Sequence, residues 1–231
     1  MEPTSLVVLA GGRGSRLGTL TDSRPKPLVP IGDQPILWHI LKAYEAAGVP
    51  RSVIAGGYRV EQLKRAFSHS ESVEVVDTGA TTSTAGRLLR LADRLPETFC
   101  LTYADGLSDV PLTEVIGLHL SHRPQATITA VHPPSRFGTL SLSGRTVTSF
   151  EEKTTLRSVW VNGGFMVLNR SVLDLISGDD TSLEQEVLPK LAATEQLIAY
   201  QHDGFWYPMD TVADMAFLNV LWQGGAPWRT W

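Results

Sequence analysis

The sequence predicts an α/β fold, Rossmann-like, with a mostly parallel central sheet flanked by helices and a smaller mixed β/α portion. Three observations carry this. Residues 6–10 are apolar at every position, as a strand buried on both faces must be. Segments of helical spacing alternate with such runs, which makes successive strands parallel. Beyond about residue 122 the alternation gives way to short strands set close together.

The elements follow in order. After the strand at 6–10, Asp33 reads as a helix N-cap with Pro35 in the first turn. Leu37, Ile40, Leu41, Tyr44 and Ala47 then keep helical spacing until Gly48 stops the helix. Residues 53–55 read as the next strand, 61–67 as a short helix and 73–76 as a third strand. Leu88, Leu91, Ala92 and Leu95 mark a helix face that Pro96 ends, ahead of a fourth strand at 98–103. Asp109 reads as a cap before Pro111. In the second half, 126–131 and 138–142 read as strands, and Ser143-Gly144 is a turn before 147–151. Another strand falls at 163–168. Thr181-x-x-Glu184 resembles a capping box opening a helix towards Leu191, and 212–222 reads as a last amphipathic helix. There is no repeat or linker, so residues 1–231 read as one domain.

Composition excludes several classes of function. A net charge of −4 provides no basic field for nucleic acid. The single cysteine, Cys100, rules out an internal disulfide and fits a reducing compartment. Residues 1–5 carry no basic leader region, and no run approaches the roughly 18 apolar residues of a membrane span. The expectation is a cytoplasmic protein without a membrane or nucleic-acid partner. The histidines show no metal-ligand spacing, neither they nor Cys100 form a nucleophile pair, and Trp206, Trp222, Trp228 and Trp231 read as packing residues.

One stretch points to chemistry. Gly11-Gly12-Arg13-Gly14-Ser15-Arg16 leaves the first strand, and Pro25-Lys26-Pro27 follows. Glycine amides can turn towards an anion without Cβ obstruction. Guanidinium groups and a restrained ammonium beside them suit a polyphosphate. A dinucleotide fingerprint fails, because Leu17 stands where a third glycine belongs and Ala55-Gly56-Gly57 supplies no acid. A P-loop fails for want of Gly-Lys-Ser/Thr.

Further motifs extend this. Pro25-Lys26-Pro27-Leu28-Val29-Pro30, Val76-Asp77-Thr78-Gly79, Thr84-Ala85-Gly86-Arg87-Leu88 and Thr102-Tyr103-Ala104-Asp105-Gly106 occur in turn. Pro134-Ser135-Arg136-Phe137-Gly138, Val161-Asn162-Gly163-Gly164-Phe165, Gly204-Phe205-Trp206-Tyr207-Pro208-Met209-Asp210-Thr211 and Ala226-Pro227-Trp228-Arg229-Thr230-Trp231 complete the series. Together with the glycine loop the series resembles the sugar-phosphate nucleotidylyltransferases, and within them the glucose-1-phosphate cytidylyltransferase branch, over nearly the whole chain.

The resemblance implies transfer of CMP from CTP to a sugar-1-phosphate, with pyrophosphate expelled by in-line attack and Mg²⁺ as cofactor. UTP or dTTP as donor, and a phosphorylated polyol or phosphonate as acceptor, stay open. So does a nucleotide-binding regulatory module without turnover. The resemblance further implies a nucleotide-binding half at about 1–122 and a sugar-phosphate half at about 123–231. It assigns Leu9, Ala10, Gly11, Gly12, Gly14, Ser15, Arg16, Lys26, Gly86, Arg87 and Asp105 to the nucleotide. Arg16, Lys26 and Asp105 are its catalytic set, and Asp105 with Asp210 its metal ligands. Gly138, Glu152, Lys153, Asn162 and Gly163 are its sugar-phosphate residues, and a homo-oligomer its assembly. Residue types alone would read Lys26 as a surface lysine, Arg87 as a helix-surface arginine and Asp210 as a helix cap. The chain departs from the family pattern at Ser15, Ala85, Ala104 and Thr154. It is also markedly shorter than its longer relatives between Tyr58 and Asp77.

Overall fold

A computed structural model describes residues 5–152 and 154–231. The first half runs β1 (Ser5–Ala10), α1 (Leu20–Ser23), β2 (Pro30–Ile31), β3 (Gln34–Pro35), α2 (Ile36–Ala46) and β4 (Arg51–Gly56). It continues with α3 (Val60–Ala66), β5 (Val73–Asp77), α4 (Thr84–Arg90), β6 (Thr98–Tyr103), β7 (Gly106–Ser108) and α5 (Leu112–His122). The second half has β8 (Ala126–Val131), β9 (Thr139–Ser143), β10 (Thr146–Glu151), β11 (Val161–Asn169) and α6 (Leu188–Ala193). β12 (Leu197–His202), β13 (Trp206–Pro208) and α7 (Val212–Gln223) close the chain.

Seven strands form the main sheet in the order β12-β8-β11-β6-β1-β4-β5. β11 runs antiparallel to both neighbours, β6 and β8, and the other adjacent pairs are parallel. β1 is an interior strand, flanked by β6 and β4, and its side chains enter two cores at once. Leu6, Val8 and Ala10 join the layer containing Ile36, Leu63 and Val115, while Val7 and Leu9 face Leu88, Leu91 and Leu191. Burying each such aliphatic side chain contributes roughly 1.5–3 kcal/mol. Strand order reverses at β1, which lies between β4 and β6, so the crevice of an open α/β sheet falls beyond the carboxyl ends of β1 and β6.

Several elements differ from expectation. Asp33 is not a helix cap: it occupies the turn between paired Ile31 and Gln34, and α2 starts at Ile36 behind Pro35. The Gly32-Asp33 pair is turn chemistry, and the hairpin consumed it. Asp109 does not cap α5, whose N-cap is Pro111; its Oδ1 pairs instead with His202 Nε2 at 2.7 Å. The capping box at 181–184 is displaced by one residue. Ser182 Oγ accepts from Gln185 N, and Ser182 N donates to Glu186 Oε1, because the first turn, Leu183–Val187, is a wide π-turn. The helix face expected to reach Leu95 breaks after Arg90 into a separate 3-10 turn, Ala92–Arg94. The last helix carries its own capping box from Thr211 and Asp214, but of its residues only Leu218 is buried, and Val212 and Val220 face solvent.

Candidate functional site

Beyond β1 and β6 lies a cavity of about 250 Å³. Leu9, Ala10, Gly11, Gly12, Gly14, Arg16, Lys26, Arg87 and Asp105 line it, with Pro27, Thr84, Tyr103 and Ala104. The structure therefore brings most of the expected nucleotide residues to one place. Ser15 begins the 3-10 turn Ser15–Leu17 at its edge. Gly86 faces elsewhere: a Cβ there would lie 2.3 Å from the Asp179 carbonyl oxygen, so this glycine lets α4 pack on the 178–181 loop. Arg13 does not line the cavity, and its guanidinium sits 5.6 Å over the Tyr58 ring.

Local sequence explains how the cations are held. Pro25 precedes, and Pro27 lies within, the short turn Lys26–Leu28, so fixed φ angles restrain the backbone on both sides of Lys26. Gly14 has φ of +64°, and a Cβ there would stand 2.9 Å from Lys26 Cβ. Glycine is thus required twice over, for conformation and for the lysine stem laid against it. Arg87 is buried. One nitrogen, Nη1, donates to Gly56 O at 3.0 Å, Thr78 Oγ1 at 2.7 Å and Gly79 O at 2.8 Å, tying together the ends of β4 and β5. A Cβ on Gly11 would fall 2.0 Å from the same guanidinium. Burial lowers the Arg87 pKa, and the Asp77 charge opposes that shift.

The acids converge on Lys26. Asp105 follows β6, and Asp210 follows β13, which pairs with β7 so that Pro208 stands opposite Gly106. Met209 N donates to Asp105 O at 2.8 Å, bringing the two acids together. Lys26 Nζ donates to Asp105 Oδ2 at 2.7 Å and to Asp210 Oδ1 at 3.0 Å. Arg16 and Arg136 reach Asp210 Oδ2 at 2.8 and 3.2 Å. Burial works against the charge of Asp210, but Lys26, then Arg16 and Arg136, outweigh it and hold the carboxyl below its ordinary value. Thr211, not Asp210, caps α7, which leaves the Asp210 carboxylate to the cations.

As a cation site the pair offers oxygen alone, and a single ammonium already bridges both carboxylates. That donor set suits a hard divalent ion. Among the described residues no cluster of three or more His, Cys, Asp or Glu could hold a metal.

The second half contributes less directly. Asn162 Oδ1 accepts from Gly164 N at 2.9 Å, and Gly163 O accepts from Trp206 Nε1 at 2.8 Å, beside Tyr103. Gly138 and Glu152 flank the β9–β10 hairpin, and a Cβ on Gly138 would meet Phe150 Cζ at 2.5 Å and Glu152 Oε1 at 3.2 Å. Lys153 lies outside the described residues. Sequence reasoning gave no site role to Thr84, Tyr103 or Arg136, and read Glu184 only as part of a capping box. Thr84 and Tyr103 stand within quoted motifs, and their place at the start of α4 and the end of β6 was the available signal. Burial has pushed the Cys100 thiol up to about 12, in keeping with an inert core residue.

Comparison with known proteins gives the following. The family described as nucleotidyl transferase matches residues 5–219. Glucose-1-phosphate cytidylyltransferase of Salmonella typhi is 42% identical, the match covering 97% of this chain and 98% of that protein. Mannose-1-phosphate guanylyltransferase 1 of Arabidopsis thaliana is 36% identical over 87% of this chain and 59% of its own length. The structure of HddC from Yersinia pseudotuberculosis complexed with GMP-PN superposes with a TM-score of 0.75 at 21% identity, covering 96% of this chain and all of that one. The Salmonella alignment runs over 253 positions against 231 residues here, so at least 22 positions have no counterpart in this chain. Consistent with a shortened connection, only residues 67–72 join α3 to β5.

Proposed function

This chain belongs to the nucleotidyl transferase family, and from that premise we propose that it transfers CMP from CTP to a sugar-1-phosphate, glucose-1-phosphate or a close relative. The observation that carries the reading is the ammonium of Lys26, pinned between two carboxylates at the mouth of a glycine-lined cavity. The 42% identity to a glucose-1-phosphate cytidylyltransferase supports the choice of CTP and of the acceptor.

In this reading a phosphate oxygen of the sugar-1-phosphate attacks the α-phosphorus of CTP in line. A P–O bond forms there, the α–β bridging P–O bond breaks, and its electron pair leaves with pyrophosphate. No enzyme-bound intermediate is needed, so the protein's work is positioning and charge neutralisation. The amides of the Gly11–Gly14 loop and Arg16 hold the triphosphate. Lys26 neutralises the α-phosphate as charge builds on it. Asp105 and Asp210 would hold Mg²⁺, which supplies charge neutralisation at phosphate oxygens when bound. Arg87 braces the loop from beneath on the base side, while Asn162, Gly163, Gly138, Glu152 and Lys153 belong to the sugar phosphate. Ser15 and Gly86 complete the nucleotide set, Gly86 by letting α4 approach.

The reading extends to a cytoplasmic homo-oligomer. Among the described residues no helix is long and apolar enough to cross a membrane. Leu140, Leu142, Val147 and Phe150 of the β9–β10 hairpin stand exposed, as a surface shared between copies would. Mass in solution tests that part.

The activity is tested by a matrix of four nucleoside triphosphates against phosphorylated sugars, polyols and phosphonates, read as pyrophosphate. The expected result is release with CTP that requires a sugar-1-phosphate. Release indifferent to every acceptor would overturn it.

A further inference from the structure

Glu184 has no part in the mechanism above, yet its carboxylate anchors two side chains that line the cavity. It lies in the π-turn Leu183–Val187, a geometry that recurs at functional sites. Tyr103 OH donates to its Oε1 at 2.5 Å, and Thr84 Oγ1 donates to its Oε2 at 2.6 Å. Ser182 Oγ adds a bond to Oε2 at 3.1 Å. The wide turn frees Glu184 for this, because Gln185 N and Glu186 Oε1 take the capping bonds with Ser182.

The polarity of these bonds matters. A hydroxyl has one proton to donate. Thr84 has given its proton to Glu184 and accepts from Leu183 N at 2.9 Å. Tyr103 has given its proton too, and burial, reinforced by the Glu184 charge, raises the Tyr103 pKa so that the phenol stays protonated. Neither hydroxyl has a further proton to give, so each can meet a cavity occupant only as an acceptor, Tyr103 with the Asn162 side chain also hydrogen-bonded to its phenol.

We infer that Glu184 is a positioning residue that fixes Tyr103 and Thr84 as hydrogen-bond acceptors, so that the substrate group docking against them is a donor. This rests on the cavity being the site of the proposed transfer. Two donors share the required chemistry: the 4-amino group of cytosine and a hydroxyl of the acceptor sugar. Uracil and thymine present a carbonyl oxygen where cytosine has the amine, and would set lone pair against lone pair. Thr84 opens the helix that carries Arg87, and Tyr103 is hydrogen-bonded by the Asn162 side chain, so the pair stands between the residues given to the base and to the sugar.

The test uses Glu184→Gln, which keeps the size but offers an amide N–H₂ in place of one acceptor oxygen. One hydroxyl must then accept from the amide and turn its proton away. Pyrophosphate release is measured with CTP and with UTP, and with glucose-1-phosphate varied at saturating CTP, alongside thermal melts. If the donor is the amine, the CTP-over-UTP ratio of kcat/KM falls about tenfold, the scale of one hydrogen bond. If the donor is the sugar hydroxyl, KM for glucose-1-phosphate rises about tenfold while kcat stays within about twofold. Either effect disappears when Glu184→Gln is made in a Tyr103→Phe, Thr84→Val background. Wild-type constants, an equal loss of kcat with both nucleotides at unchanged KM, or an effect that persists in that background would overturn the inference. A wild-type protein that releases no pyrophosphate with any acceptor would instead refute the proposed function. Calorimetric titration with CTP, UTP and glucose-1-phosphate then carries the test: Glu184→Gln narrows the CTP–UTP affinity gap or weakens glucose-1-phosphate binding if the inference holds, and an unchanged gap together with unchanged glucose-1-phosphate affinity overturns it.

Discussion

Two glycines in this chain, Gly11 and Gly138, each leave no room for a side chain, but for different reasons. At Gly11 the obstacle is the Arg87 guanidinium, buried and held by three hydrogen bonds to strand ends. At Gly138 it is the ring of Phe150, which is 61% exposed on a two-stranded hairpin. The first obstacle cannot move without dismantling the floor of the cavity. The second can swing into water. The contrast extends to the regions themselves. The crevice is built on parallel strands buried on both faces, with Lys26 paired to Asp105 and Asp210 and Arg87 held by neutral acceptors. The hairpin stands apart from the main sheet, and on its own such a ribbon is only marginally stable. Rigidity is concentrated where a triphosphate would be positioned, and freedom where the acceptor side would adapt.

The largest effect that would sharpen this contrast is Lys26→Ala. It removes the cation that, among the described residues, both acids share, and pyrophosphate release should fall roughly 10³-fold, the scale seen on losing a preorganised charge. Turnover close to wild type would break the comparison. Gly11→Ala comes next: with Arg87 unable to yield, the loop must shift, and kcat/KM for the nucleotide should drop about 10²-fold. Steady-state kinetics checks it.

Asp210 gives a smaller, pH-dependent signal. Its folded-state pKa lies below the ordinary 3.8, so its pairing stabilises the fold above that value and is lost as pH falls through the lower one. Melting temperatures of wild type and Asp210→Asn should therefore differ by ~2–4 °C near neutrality and converge between about pH 5 and pH 2. A constant gap across that range would contradict the assigned cations. The smallest effect is Gly138→Ala, for which Phe150 rotates away and stability shifts by about 0.5 kcal/mol or less, measured by denaturant titration.

The sheet was legible in the sequence because burial on both faces leaves uninterrupted apolar runs such as Leu6-Val7-Val8-Leu9. Most of the crevice was legible too, because close approach demands glycine and proline, which few other residues can replace. What escaped depends on contacts remote in sequence. Asp33 and Asp109 carry a capping residue type, but a hairpin turn and His202 claimed them. Glu184 matched a capping box by spacing, but a π-turn moved the cap to Ser182 and released the carboxylate towards Tyr103 and Thr84. Arg136 meets Asp210 across 74 residues, a distance no local pattern encodes.

The most direct measurement is a crystal structure of the protein soaked with CTP and Mg²⁺. The account predicts the triphosphate against the Gly11–Gly14 amides, a metal ion on Asp105 and Asp210, and Lys26 Nζ moved from the acids to the α-phosphate. An empty crevice, or a nucleotide bound elsewhere with Lys26 still on both carboxylates, would contradict it.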